Sequence, residues 1–449
     1  MRINHCNGSR IVLVLLAGLL AAAVASAQTT GNADFSRYVA VGDSLGAGFM
    51  SGSLVGDVQQ VSYPALLSTQ VHGTSGGFEQ PLVSAPGIPG ALQLVSLSPL
   101  IIAPAAGMGL PINIALPRPY DNLSVPGADL RDVLETVTDF GGLHDLILRG
   151  LGTQLQQALM LQPTFATFWV NNDALGAAIS GVVIEDVTLT SLDNFETRYR
   201  TITDTLAAAG AQMALATIPD VTTIPYVTTL PPVVLNPATN EPVLVNGNYV
   251  PLVGPDGPLV LGQDFVLLSA SAEMAVGKGI PVELGGSGEP LSDFAVLNGS
   301  EVAAITARIA GFNQVIRAVA GERGAALVDI NAFFAGIAAH GLNVGGVEFT
   351  ADLLTGGLFS YDGIHPTPFG YAIVANEFIR AINRSYGADI PLVSYHDYVY
   401  GPLASLGTGF PVGSSFVFTP KAAKQLSFAL GIPDRKTLNR IKKRRATVD

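Results

Sequence analysis

The chain has 449 residues but a single cysteine, a single tryptophan and only 13% charged residues. The cysteine is Cys6, ahead of an apolar run, so the chain beyond that run has no thiol for a disulfide, a redox pair or a thiolate zinc site. Six histidines are scattered without a His-x-x-x-His pair, and no glycine-rich phosphate loop is present. No metal and no cofactor is therefore expected. Basic residues are scarce as well: 23 Lys and Arg stand against 35 Asp and Glu, a formal charge of −12. An acidic body does not bind nucleic acid through its main surface. The longest clean apolar run, from Ile11 to Ala23, is too short to cross a bilayer comfortably.

That run has the form of an export signal. Arg2 and Arg10 give a positive start, and Ala25-Ser26-Ala27 is a small-residue cleavage site. Residues 1–27 are read as a signal peptide, with a mature chain beginning near Gln28 and a secreted or periplasmic location. Without disulfides, a large core must hold the exported protein together. Charge is uneven along the chain: nine of the bases and only two acids lie between Lys421 and Asp449. Residues 401–449 are read as a C-terminal extension whose basic tail is solvated and partly disordered. Peripheral contact of this tail with a membrane or a polysaccharide is the alternative.

Four short apolar runs read as buried strands: Arg37 to Val41, Phe165 to Val170, Gln212 to Thr217 and Ala325 to Ile330. Helical patterns fall between them. Leu192 to Ala209 carries charge on one side only, and so does Glu301 to Gly321, with Ser300 as its cap. A last helix is marked by Thr367 as cap, Pro368 at its first position and an apolar face of Tyr371, Ile373, Val374, Phe378, Ile379 and Ile382. Strands alternating with helices predict an α/β fold, a mostly parallel sheet covered on both faces in three α/β/α layers. Ligands of such sheets sit at the carboxyl ends of strands.

Ser44 stands at such an end, where the run Tyr38 to Val41 breaks at Gly42-Asp43-Ser44-Leu45-Gly46. Far downstream, Tyr361-Asp362-Gly363-Ile364-His365-Pro366 brings an acid and an imidazole three residues apart. Those are the other groups that make a serine nucleophilic. The Gly-x-Ser-x-Gly pattern of α/β-hydrolases also fits residues 42–46. In those enzymes several strands precede the nucleophile, whereas here it follows the first.

Together the segments resemble the GDSL family of serine esterases and lipases, the SGNH hydrolases. The resemblance rests on Gly42-Asp43-Ser44-Leu45 and on Asp362-x-x-His365, and it implies a flavodoxin-like sheet and a Ser44, Asp362, His365 triad. It also implies an oxyanion hole made by the Ser44 N–H, the Gly127 N–H and the Asn172 side chain. Gly127 lies in Asn122-Leu123-Ser124-Val125-Pro126-Gly127-Ala128, and Asn172 in Val170-Asn171-Asn172-Asp173. Val170 stands where the family has glycine, and a slip of one residue would make Asn171 the donor. Trp169 reads as core.

Residues 28–400 are thus read as the hydrolase domain, interrupted by two apolar, Gly- and Pro-rich insertions at about 81–119 and 219–290. Both are too apolar to stay solvated. They are expected to pack over the mouth of the site and bury an acyl chain. The leading reading is an exported hydrolase of carboxylic esters, tilted toward acyl lipids, with a small-molecule ester or lipid as its partner. A carbohydrate acetyl esterase and a binding protein with a decayed site are the alternatives.

Overall fold

The computed structural model describes residues 30–97, 99–400 and 416–446. The expected signal peptide, its cleavage site and Cys6 lie outside them, as do the first residues of the C-terminal extension. Along the chain come β1 (Tyr38–Gly42), α1 (Ser44–Ala47), α2 (Tyr63–His72), β2 (Leu92–Leu97), β3 (Leu100–Pro104), β4 (Phe165–Trp169), α3 (Asn172–Ser180), α4 (Leu192–Ala208) and β5 (Gln212–Ala216). They are followed by α5 (Gly299–Arg323), β6 (Ala326–Val328), α6 (Ile330–His340), α7 (Pro368–Tyr386), β7 (Val417–Phe418), α8 (Pro420–Ala429) and α9 (Arg435–Arg445).

All four expected strands are present and form one parallel sheet in the order β1-β4-β5-β6. Every residue of β1 and β4 is buried. Side chains alternate between the two faces of a strand. Val39, Val41 and Phe168 join one core with Phe195 of α4 and Phe312 of α5, whose rings stack at 3.9 Å. Ala40 and Trp169 join the other with Tyr63 of α2 and Phe378 of α7, stacked at 4.3 Å. Two helix layers on a two-faced apolar sheet give the three-layer α/β/α fold, because neither face can be left to water.

The edges decide what lies near Ser44. In the β1–β4 register Gly42 is level with Trp169, so the turns after both strands emerge side by side. On the other edge of β1, Asn122 bridges Ala40 in parallel, and Val125 N donates to Gly42 O at 3.1 Å. That edge segment delivers Gly127 to the same end of the sheet.

Two local expectations are corrected. The cap of α5 is Asn298, not Ser300: its side chain accepts from Ser300 N and Glu301 N, and Glu301 answers in a capping box. The basic tail is not simply solvated, because α9 is a helix with Leu438 buried. Arg435 pairs with Glu273 at 3.1 Å and Lys442 with Asp293 at 2.7 Å. The two insertions form small sheets. β2 and β3 make an antiparallel hairpin that β7 extends, and residues 219–290 carry two-residue strands and short helical turns.

Candidate active site

Ser44 opens the four-residue helix α1, with Asp43 in extended conformation before it. Ser44, Asp362 and His365 are all 0% exposed. Phe49 N donates to Ser44 O at 3.0 Å, and the Phe49 ring meets His365 edge-on with centroids 4.9 Å apart. Gly52 N donates to Asp362 Oδ2 at 2.7 Å and Ser51 N to Ser360 Oγ at 2.9 Å. Tyr371 OH, on α7, donates to Phe49 O at 2.5 Å. The turn after Ser44 is thereby stitched to the loop of Asp362 and His365, some three hundred residues away.

Asp362 accepts from five donors. Ile364 N and His365 N reach Oδ1 at 2.9 Å each, Ser360 Oγ at 3.1 Å, and Gly52 N and His365 Nδ1 reach Oδ2 at 2.7 and 2.9 Å. Burial pushes the carboxyl up, but the attraction of His365 and the hydrogen bonds outweigh it and hold Asp362 below its ordinary value. An ionised Asp362 is an acceptor, so His365 donates to it through Nδ1–H and Nε2 is the ring nitrogen not engaged by the acid. Neither His365 Nε2 nor Ser44 Oγ has a hydrogen-bond partner, although both are buried. Buried polar atoms normally have partners. Ser44 Oγ and the His365 nitrogen not engaged by Asp362 are two such exceptions.

The opposite side is held by Asp43. It accepts from Leu45 N at 3.0 Å, from Asn171 N at 2.6 Å and from Asn171 Nδ2 at 3.0 Å. Burial lifts its pKa above the ordinary carboxylate range, against those hydrogen bonds and the nearby His365. The Asn171 amide is therefore engaged, whereas Asn172 Nδ2 is buried without a partner. Of the two registers open in the sequence, the geometry favours Asn172 as the free donor. Gly127 is at φ +91°, where an L side chain is strained. A Cβ there would stand 2.8 Å from Leu430 C and 3.0 Å from Ala429 O.

This constellation is a buried serine, a histidine oriented by an acid, and a free side-chain amide donor, Asn172 Nδ2, at the end of a parallel sheet. A profile of the GDSL-like lipase/acylhydrolase family matches residues 38–378. The chain belongs to the GDSL-like lipase/acylhydrolase family. It is an ester hydrolase with the SGNH-hydrolase fold. Similar solved structures include a candidate SGNH hydrolase from Slackia heliotrinireducens, at 14% identity and TM-score 0.31, covering 77% of this chain and 98% of that one. An extracellular lipase from Streptomyces rimosus is 14% identical at TM-score 0.32, covering 78% and 98%. No curated protein matches the chain.

Two hollows are lined by residues of the site's segments: Leu45 of the GDSL turn lies in one, and Gly127 and Asn172 lie in the other. One, of about 90 Å³, is apolar and is lined by Leu45, Trp169, Phe334, Ile364, Pro366 and Val374 among others. Most of its wall comes from α6, α7 and the loop between them; Pro219 and Ile224 alone come from an insertion. The expectation that the two insertions wall an acyl pocket is not met by this hollow. Its lining residues are scattered from Leu45 to Val374, so no single apolar segment announces it. The other, of about 200 Å³, is polar, with Gly127, Asn172, Asp129, Arg131 and Asp132 in its wall and residues Leu430 to Pro433 across it.

Proposed function

We propose that the protein is an exported serine hydrolase that cleaves esters of apolar acyl groups through an acyl-enzyme. Ser44 Oγ attacks the ester carbonyl while His365 Nε2 takes its proton. Asp362 holds the ring and stabilises the imidazolium. The charge that develops on the carbonyl oxygen meets the Ser44 and Gly127 N–H groups and Asn172 Nδ2. His365 then returns the proton to the departing alcohol, and water releases the acid by the same steps in reverse.

The observation that carries this reading is the pair of free buried atoms, Ser44 Oγ and His365 Nε2, with Asp362 on the far ring nitrogen. The apolar hollow beside Leu45 and Pro366 supports an aliphatic acyl group, and the polar cleft beside Gly127 supports a polar alcohol portion. The polar cleft is also what favours the second reading, a carbohydrate acetyl esterase. Val170, buried in the core, is the one departure that favours a decayed site, and the complete triad opposes it. Export rests on the N-terminal sequence. Contact with an anionic lipid surface rests on the exposed cations of α9, among them Lys436, Arg440, Lys443 and Arg445.

A chain-length series of aryl esters, with an acetylated sugar included, tests the reading. Each methylene buried in the hollow adds up to about 0.8 kcal/mol, so kcat/KM should climb to a maximum beyond acetate. A preference for acetyl over every longer acyl group overturns the lipid reading in favour of the acetyl esterase. A fluorophosphonate should label Ser44 alone.

A further inference from the structure

The polar cleft shares two wall residues with the oxyanion side, Gly127 and Asn172. Each follows closely on a residue bonded to the GDSL turn: Val125 N donates to Gly42 O at 3.1 Å, and Asn171 N to Asp43 Oδ2 at 2.6 Å. Asn172 is only 9% exposed, and its Nδ2 has no partner. A buried donor without a partner on a cavity wall is a place for a ligand atom. The rest of the wall mixes acceptors, Asp129, Asp132 and Asp186, with the donor Arg131. The Arg131 guanidinium is about half exposed, stands 3.8 Å from Asp129 Oδ2 and makes no hydrogen bond within the described residues. The charge on this wall is close to balanced. Burial and the neighbouring Asp132 hold the Asp129 carboxyl above its ordinary pKa, so it resists ionising. Arg198, outside the lining, attracts both Asp129 and Asp186. The two remaining carboxylates are then matched by Arg131 and Arg198, and neither an ammonium nor a phosphate gains a net attraction there. A hydroxyl both donates and accepts, so it uses carboxylate and guanidinium together without a net charge of its own.

We propose that this cleft is the subsite for the alcohol portion of the ester, that it takes a neutral group with adjacent hydroxyls, as in glycerol or a sugar, and that Arg131 is its specificity-determining residue. The proposal rests on Ser44 being the nucleophile and on Gly127 and Asn172 receiving the carbonyl oxygen. A carbonyl carbon carries two arms besides its oxygen. With the acyl arm in the apolar hollow beside Leu45, the alkoxy arm is the one left for the polar cleft. The cleft holds about 200 Å³ against about 90 Å³ for the apolar hollow, so the roomier side is the alcohol side. There a hydroxyl accepts from the Arg131 fork, and it and its neighbour donate to the wall carboxylates. A hydrocarbon arm would strip water from the same groups and return no hydrogen bond.

The test holds the acyl group fixed and varies the alcohol. Soluble butyrate esters of 1-propanol, glycerol, glucose, choline and glycerol 3-phosphate are compared by kcat/KM. The glycerol and glucose esters should both exceed the propyl ester by about tenfold or more, the worth of a hydrogen bond or two to charged groups. The faster of the two names the source of the diol. The choline and glycerol-phosphate esters should not exceed the glycerol ester. Arg131→Leu should bring the glycerol-to-propyl ratio to within about twofold of unity, with a thermal melt like the parent's, because an exposed ion pair adds little to stability. A propyl ester as good as the diol esters, a charged alcohol that beats them, or a ratio unmoved by Arg131→Leu each overturns the proposal. The series on the parent enzyme decides it even if the variant does not fold. Activity that survives Ser44→Ala overturns the nucleophile reading instead.

Discussion

The two sides of Ser44 are held by buried carboxylates whose pKa values are shifted in opposite directions. Asp362 gathers five donors and stays below its ordinary pKa despite complete burial. Asp43 and Asp173, on the oxyanion side, are equally buried but have fewer donors, and their pKa values are raised. Burial alone therefore does not decide the charge of these groups; the number of donors and the sign of the neighbours do. A carboxylate that stays ionised can stabilise an imidazolium. One that resists ionisation is suited to holding loops: Asp43 ties the Ser44 turn to the Asn172 turn, and Asp173 accepts from Leu130 N at 3.1 Å just beyond Gly127.

The sharpest way to break the comparison is to remove the proton-transfer pair. Ser44→Ala or His365→Ala should each lower kcat by about 10⁴ to 10⁶, and the double variant should fall little further, because the groups act as one unit. Steady-state and burst kinetics on a soluble ester check this. If His365→Ala stays near native activity, the base lies elsewhere and Asp362 is structural like its counterparts.

On the oxyanion side the effect should be smaller and divided. Asn172→Ala should lower kcat by about 10²–10³ with little change in KM, as expected for an interaction made only in the transition state. Asn171→Ala removes a donor to Asp43 instead. It should cost about 1–3 kcal/mol of stability, leaving a buried carboxylate less well satisfied, with a milder effect on rate. A reversal of the two kinetic effects would give the oxyanion role to Asn171.

Smaller again is the response of the apolar hollow. Val374→Phe places bulk in a space of about 90 Å³. It should move the optimum of the acyl series to a shorter chain, by about one or two methylenes at up to about 0.8 kcal/mol each. An unchanged profile would mean that the acyl group lies elsewhere, with the polar cleft beside Gly127 and Asn172 as the remaining hollow.

How much of this could be read from the residues follows from locality. The four sheet strands are continuous apolar runs because both faces of the sheet are covered, and a run of five such residues has no other comfortable place. Ser44, Asp362 and His365 are legible because their chemistry is packed into two short motifs. The Asn171–Asn172 choice was not, since it turns on Asp43 bonding one amide and leaving the other free. The C-terminal helices were misread for a different reason. Their outward residues are strongly basic, so the segment looks solvated, while the apolar inner face is spread thinly over Phe416, Phe418, Leu426, Leu430 and Leu438. Capping by Asn298 in place of Ser300 shows the same limit, because neighbouring residues of similar chemistry compete and only geometry chooses.

The smallest expected effect is on stability, at Asp173. Burial is the main cause of its raised pKa, and the neighbouring Asp129 adds to it, against hydrogen bonds from Thr190 and Leu130 and the attraction of Arg198. One carboxyl oxygen, Oδ1, has no partner. A carboxyl with a folded pKa above its unfolded value binds its proton more tightly when folded. Its contribution is full below the unfolded carboxylate pKa and is lost as pH rises through the folded one. Asp362 has the opposite sign: its contribution is present above the unfolded value and lost as pH falls through the folded one. Asp173→Asn keeps an acceptor for Leu130 N and has no proton to lose. Thermal melts from about pH 4 to about pH 9 should show the variant close to the parent at the acid end and progressively more stable than it toward the alkaline end. Parallel curves would mean that Asp173 is ionised across the range, and the contrast between the two sides of Ser44 would then reduce to Asp43 alone.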